Sequence, residues 1–123
     1  MYGELGSYIA GFWSRARARR SEWEARRAEA LVLAGTMVRA LAEEFGAREV
    51  WLFGSVLRPE AFHERSDIDL AASGIPSDRY LAALGRLEEL AAGRFGVDLV
   101  DLDTCGEGLR RAVRQRGVRL IGA

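Results

Sequence analysis

VWLFGSVLRPEAFHERSDIDL, residues Val50 to Leu70, opens as four apolar residues, breaks at a Gly-Ser pair and closes on two aspartates one residue apart. Val50-Trp51-Leu52-Phe53 reads as a buried strand and Asp67-Ile68-Asp69-Leu70 as the start of a second. In a strand, side chains at i and i+2 share a face, with Cα atoms roughly 6.6–7 Å apart. Asp67 and Asp69 can therefore converge on one hard cation or bridge two. Gly54-Ser55, directly after an apolar strand, offers backbone N–H groups and a hydroxyl to an anion such as phosphate. Phosphate donors beside paired carboxylates point to metal-dependent phosphoryl or nucleotidyl transfer.

Outward from this stretch, the chain reads as helix from about Tyr8 to Phe45, with Met1 to Ser7 expected to be frayed. The segment is rich in Ala, Arg, Glu and Leu and holds no proline. Its second half carries an apolar stripe, Leu31, Ala34, Met37 or Val38, Leu41 and Phe45, that should pack on a sheet. Gly35 marks a candidate bend, and Gly46 a C-cap. The first half sets Phe12, Trp13 and Trp23 among Arg15, Arg17, Arg19, Arg20, Glu22 and Glu24. Either these aromatics fold back on the domain, or they form a protruding arm that buries them against a partner, the two copies of a homodimer included. A nucleic-acid contact is disfavoured, because glutamates accompany the arginines.

Beyond Phe53, Gly54 to Arg58 reads as a short helical turn stopped by Pro59, and Glu60 to Ser66 as a loop holding His63, the only histidine. The second strand continues to Ala72. Gly74, Pro76 and Ser77-Asp78 signal a turn and a helix start. Tyr80, Leu81, Leu84, Leu87, Leu90 and Ala91 form the expected inner face of that helix, which Gly93 and Gly96 close. Val97 to Leu102 is a third strand. A helix from about Gly108 to Arg116 follows, with Leu109, Ala112 and Val113 inward, and Val118 to Ile121 is a last short strand. The expected fold class is α+β: a small mixed sheet with helices packed on it and a long N-terminal helix. One domain is expected over residues 1–123, with a helical arm at 1–45 and a catalytic core at 46–123.

Asp98 interrupts the apolar third strand, which is costly for a carboxylate unless it is paired or binds a metal. Beside the Asp67-Asp69 strand it would complete a three-carboxylate cluster that resists joint ionisation until a cation arrives. Magnesium suits oxygen-only ligands with waters and substrate phosphates filling the remaining positions. Asp101 competes for the third place, but it is three residues on and faces the other side of an ideal strand. Arg58 can neutralise phosphate charge or pair with Glu60 or Glu64.

Taken together, Gly54-Ser55 with Arg58, then Ser66-Asp67-Ile68-Asp69-Leu70, then Asp98 within Val-Asp-Leu-Val, resemble the minimal nucleotidyltransferase branch of the DNA polymerase beta-like superfamily, over roughly Leu41 to Leu120. The resemblance implies that Gly54, Ser55, Arg58 and Ser66 bind a nucleoside triphosphate. It implies that Asp67, Asp69 and Asp98 hold magnesium, two ions in the full site, and carry catalysis. Leu57 before the arginine and Pro59 after it depart from the usual pattern. The segment Ser66 to Leu87 is similar to the antitoxins paired with helical HEPN-type toxins, some of which transfer AMP from ATP to a toxin tyrosine. The implied activity is AMP transfer to such a hydroxyl. The alternatives are an inactive binding antitoxin or partner subunit, and a small-molecule nucleotidyltransferase acting as a dimer.

Composition bounds these readings. Charges sum to +0, so bulk attraction to nucleic acid or membrane is not expected. The single Cys105 excludes an intrachain disulfide and a multi-cysteine zinc site, and suits a reducing cytoplasm. No apolar run is long enough to span a bilayer, and no signal peptide is evident. The reading leaves no segment for a separate acceptor domain, so a surface patch or a second polypeptide must recognise the acceptor.

Overall fold

The computed structural model describes residues 3–122. Helix α1 (Gly3–Phe45) is 43 residues long and continuous, about 64 Å at the α-helical rise. Helix was expected only from Tyr8, but it already includes Gly3 to Ser7. Glu4 in the first turn suits the positive end of the helix dipole there. The expected fraying of Met1 and Tyr2 lies outside the described residues. Gly35 does not interrupt the helix. Gly46 stops it, with φ of 73°, a left-handed conformation that glycine adopts without a Cβ penalty.

Strands β1 (Glu49–Phe53), β2 (Ile68–Ser73), β3 (Val97–Asp101) and β4 (Val118–Ile121) form one mixed sheet in the order β3-β2-β1-β4. β1 runs antiparallel to β2 and β4, whereas β2 and β3 are parallel. A parallel pair needs a crossover, supplied by α2 (Tyr80–Ala91). Helix α3 (Glu107–Arg116) connects β3 to β4.

Strand alternation divides the interior in two. Val50, Leu52, Ile68, Leu70 and Ala72 face α1 and α2 in the main core, with Ala34, Met37, Leu41 and Leu87 opposite. On the other face Trp51, Phe53, Ala71 and Val100 meet Leu102 and Val113 in a smaller cluster, with α3 packed over β1. The expected inner face of α2 is corrected at Leu81, which is 85% exposed, while Ala83 is fully buried. Ala83, Leu87 and Ala91 follow a strict four-residue step, and Leu81 falls outside that stripe. On α3, Val113 is buried as expected but Leu109 is 42% exposed.

The first half of α1 leaves this body. Among residues 4–25 every position except Gly11 and Ala16 is exposed, and Ala30 is the first fully buried position. The helix is fastened where it meets the body. Arg26 donates to the Arg94 carbonyl and lies over the Phe95 ring, Arg27 donates to the Val56 carbonyl, and Glu29 pairs with Arg94. Trp13 and Trp23, at 56% and 40% exposed, do not fold back on the domain. The first half of α1 protrudes as an arm whose aromatics stand exposed, with Trp23 beside the 59–63 loop of the body.

Candidate active site

Phe53 ends β1 and pairs across the sheet with Asp69. The chain then turns at Gly54, with φ of 82°, where a non-glycine residue is strained. A Cβ at Gly54 would also collide with Asp69 Oδ2. Glycine is needed here twice over, for the turn and for the carboxylate packed against it. A single 3₁₀ turn, Ser55–Leu57, follows; the Leu57 and Arg58 N–H groups donate to the carbonyls of Gly54 and Ser55 at 3.2 and 2.9 Å. Its ladder begins at Leu57, so the Ser55 and Val56 N–H groups stand at its open end. Buried Val56 anchors the turn, and Arg27 holds the Val56 carbonyl at 2.7 Å.

Ser66 is buried, and its Oγ accepts from the His63 N–H at 2.9 Å while its own N–H donates to the His63 carbonyl at 3.0 Å. This closed loop delivers Asp67 to the start of β2. His63 is exposed, and its Nδ1 accepts from the Arg65 N–H. The Ile68 N–H donates to the Gly96 carbonyl at 2.9 Å, which sets β3 beside β2. A Cβ at Gly96 would collide with Asp67 Oδ1. Sequence reasoning took Gly96 only as a helix terminator and missed its place in the site. Its signal was its position directly before a strand that carries a candidate ligand.

Parallel register places Asp98 beside Asp69 and Asp101 beside Ala72. Asp69 and Asp98 stand on the face of the sheet that also carries Ala71 and Val100, the face on which α3 packs over β1. Asp69 is half-buried, while Asp67 and Asp98 are exposed. Burial first, then the charges of Asp98 and Asp67, push the Asp69 carboxyl up from 3.8 to about 6. Asp101 has other work: its carboxylate accepts from the Asp103 N–H and the Thr104 hydroxyl, both at 2.9 Å, and shapes the turn after β3. Burial and the Asp101 charge hold the nearby Tyr80 hydroxyl protonated well above its ordinary range.

Arg58 is exposed and, among the described residues, pairs with neither Glu60 nor Glu64. With Phe53, Gly54 and Leu57 it lines a cavity of about 460 Å³ whose far wall is Leu109, Val113 and Arg116 of α3. Its size is that of a small-molecule site. The contribution of α3 was not anticipated.

The donor set can be tested against magnesium. Among the described residues no basic side chain pairs with Asp67, Asp69 or Asp98, and no three acidic, thiol or imidazole groups close into a finished cage. Mutually repelling carboxylates, one of them half-buried, with glycines keeping clear the space beside two of them, suit a cation that keeps waters and substrate phosphates in its shell.

The sequence profile described as Polymerase beta, Nucleotidyltransferase matches residues 36–123. The chain belongs to the polymerase beta nucleotidyltransferase family. A solved minimal nucleotidyltransferase is 30% identical to this family member, covering 81% of this chain and 94% of its own, with a TM-score of 0.50. A toxin–antitoxin structure with AMP-PNP is 26% identical over 72% of this chain and 73% of its own, with a TM-score of 0.59. A chain from the complex of tri-AMPylated Shewanella oneidensis HEPN toxin with MNT antitoxin is 23% identical. It covers 76% of this chain and 73% of its own, with a TM-score of 0.59, a likeness of fold. No curated protein matches in sequence. Among the described residues no helix is long and apolar enough to cross a membrane.

Proposed function

We propose that this family member transfers AMP from ATP to a hydroxyl, the acceptor being a tyrosine of a helical HEPN-type toxin that it neutralises. The observation that carries the reading is the in-register pair Asp69 and Asp98, with Gly54 packed against Asp69. The solved toxin–antitoxin relatives, one with AMP-PNP and one with AMPylated toxin, support the nucleotide and the acceptor class.

In this reading the Gly54-Ser55 turn and the Ser55 hydroxyl hold the triphosphate, and Arg58 spreads its planar donor fork over phosphate oxygens. Ser66 supports the nucleotide site by fixing the loop that positions Asp67. Asp67, Asp69 and Asp98 would hold magnesium. When bound, magnesium supplies positive charge against the phosphate oxygens and the departing pyrophosphate. Asp98, the exposed carboxylate beside Asp69, takes the proton of the acceptor hydroxyl. The acceptor oxygen forms its bond to the α-phosphorus as the bond to the β-phosphate bridge breaks, and pyrophosphate leaves.

The test is intact-mass spectrometry of the neighbouring gene's product after incubation with this protein, magnesium and ATP. AMP units should appear on that product with wild type and be absent with Asp67→Asn/Asp69→Asn. A stable complex without any AMP gain would replace this reading with a binding-only antitoxin, which the exposed aromatic arm would suit.

A further inference from the structure

The N-terminal arm lies ahead of the matched family region, and its apolar residues are not scattered around the helix. About ten turns of 3.6 residues separate Leu5 from the buried Leu41, so the two lie in line. Around that line, Leu5, Tyr8, Ile9, Phe12, Trp13 and Trp23 all fall within a sector of about 140°. The buried Ala30, Ala34, Met37 and Phe45 occupy the same sector. The core-facing stripe of α1 therefore runs on, in phase, along about 35 Å of helix that has no core beneath it. Each of those six side chains is 40% to 68% exposed. In the angle between arm and body lies a cavity of about 750 Å³, walled by Ala16, Arg20, Trp23 and Arg27 on the arm and by the 59–63 loop on the body.

The charge pattern states what can cover this stripe. Residues 3–13 carry one charge, Glu4, whereas residues 15–20 carry Arg15, Arg17, Arg19 and Arg20. Two arms side by side in parallel would set the arginine blocks against each other, which is unfavourable. Antiparallel arms set each arginine block against the other's uncharged segment. In the register that pairs Phe12 with Ala16, a large ring meets a small residue. Ile9 then lies along the Arg19 stem, and Leu5 reaches Trp23 at the cavity. Glu4 falls opposite Glu24, with Arg20 and Arg27 about one turn to either side of that position. Apolar area from twelve such side chains is on the order of 1,000 Å², comparable with a specific interface.

We infer that the arm is a dimerisation element: two copies of this chain pair through antiparallel α1 arms, the Leu5 turn of each lodging in the other's arm–body cavity. The 59–63 loop, directly after Arg58, is then walled by the second copy. This inference stands apart from the chemistry of the carboxylate site.

Sedimentation of the full chain at micromolar concentration tests it. Wild type should sediment at twice the chain mass, and Ile9→Glu/Phe12→Glu at the chain mass with unchanged circular dichroism. Orientation is read by cysteine pairing in a Cys105→Ser background. Ile9→Cys chains mixed with Arg19→Cys chains should cross-link, and neither should cross-link alone, because like positions lie ten residues or about 15 Å apart along the pair. A monomeric wild type, a dimer indifferent to the glutamates, or self-cross-linking of Ile9→Cys would each overturn the inference. So would a monomer whose arm tryptophans become shielded only when a helical partner protein is added.

Discussion

Asp69 is the residue on which folding and chemistry conflict. Its carboxyl titrates at about 6 in the folded protein against 3.8 ordinarily. The folded state thus holds the proton more tightly than the unfolded chain does. This group favours folding fully below pH 3.8, and the advantage is lost as pH rises through about 6. The displacement corresponds to at most about 3 kcal/mol, and solvent screening at a half-exposed carboxyl leaves about 1 kcal/mol. Without divalent cations at pH 8, Asp69→Asn should therefore melt about 4 °C above wild type by calorimetry, with the difference vanishing near pH 4. An unchanged or lower melting temperature at pH 8 would refute the strained-carboxylate account. The two glycines separate strain from positioning. Gly54→Ala combines positive φ with a collision and should cost about 1–3 kcal/mol in denaturant unfolding. Gly96→Ala displaces only the Asp67 carboxylate; it should leave stability nearly intact while lowering transfer on the order of 100-fold. Asp67, Asp69 and Asp98 were legible in the sequence because a two-residue strand period and one interrupting carboxylate are local signals. Gly96 was not, because its need is set by a side chain 29 positions earlier and visible only once β2 and β3 are paired.

At the scale of elements, α1 serves as its own control. Met37 is fully buried against the sheet and Val32, on the same helix, is 74% exposed. Met37→Ala should cost about 2–5 kcal/mol and Val32→Ala less than about 0.5 kcal/mol by chemical denaturation. Similar costs for the two would mean that the helix is packed on a different face. β1, β2 and the inner half of α1 could be read because their apolar periods are unbroken. Leu81 was misread because α2 carries apolar residues on more than one side, and its narrow alanine-leucine stripe is chosen by close packing on the sheet. The wall that α3 gives to the cavity beside Gly54 was also hidden, since nothing in Leu109 or Arg116 alone says that they lie across from Arg58.

For the molecule as a whole, the sheet order is what converts a sequence pattern into a candidate centre. β1 leads into the Gly-Ser turn, β2 carries Asp69 with Asp67 just before it, and β3 carries Asp98, while α3 walls the cavity beside Gly54. The parallel β2–β3 register is the central claim: it sets Asp98 beside Asp69 and leaves Asp101 to the following turn, and the proposed role of Asp98 as third carboxylate rests on it. The most direct measurement compares AMP incorporated into the acceptor, by intact mass, for wild type, Asp98→Asn and Asp101→Asn with magnesium and ATP. The account expects a loss of about 100-fold or more for Asp98→Asn and a change of less than about tenfold for Asp101→Asn. Retained transfer by Asp98→Asn, with transfer abolished in a folded Asp101→Asn, would contradict it.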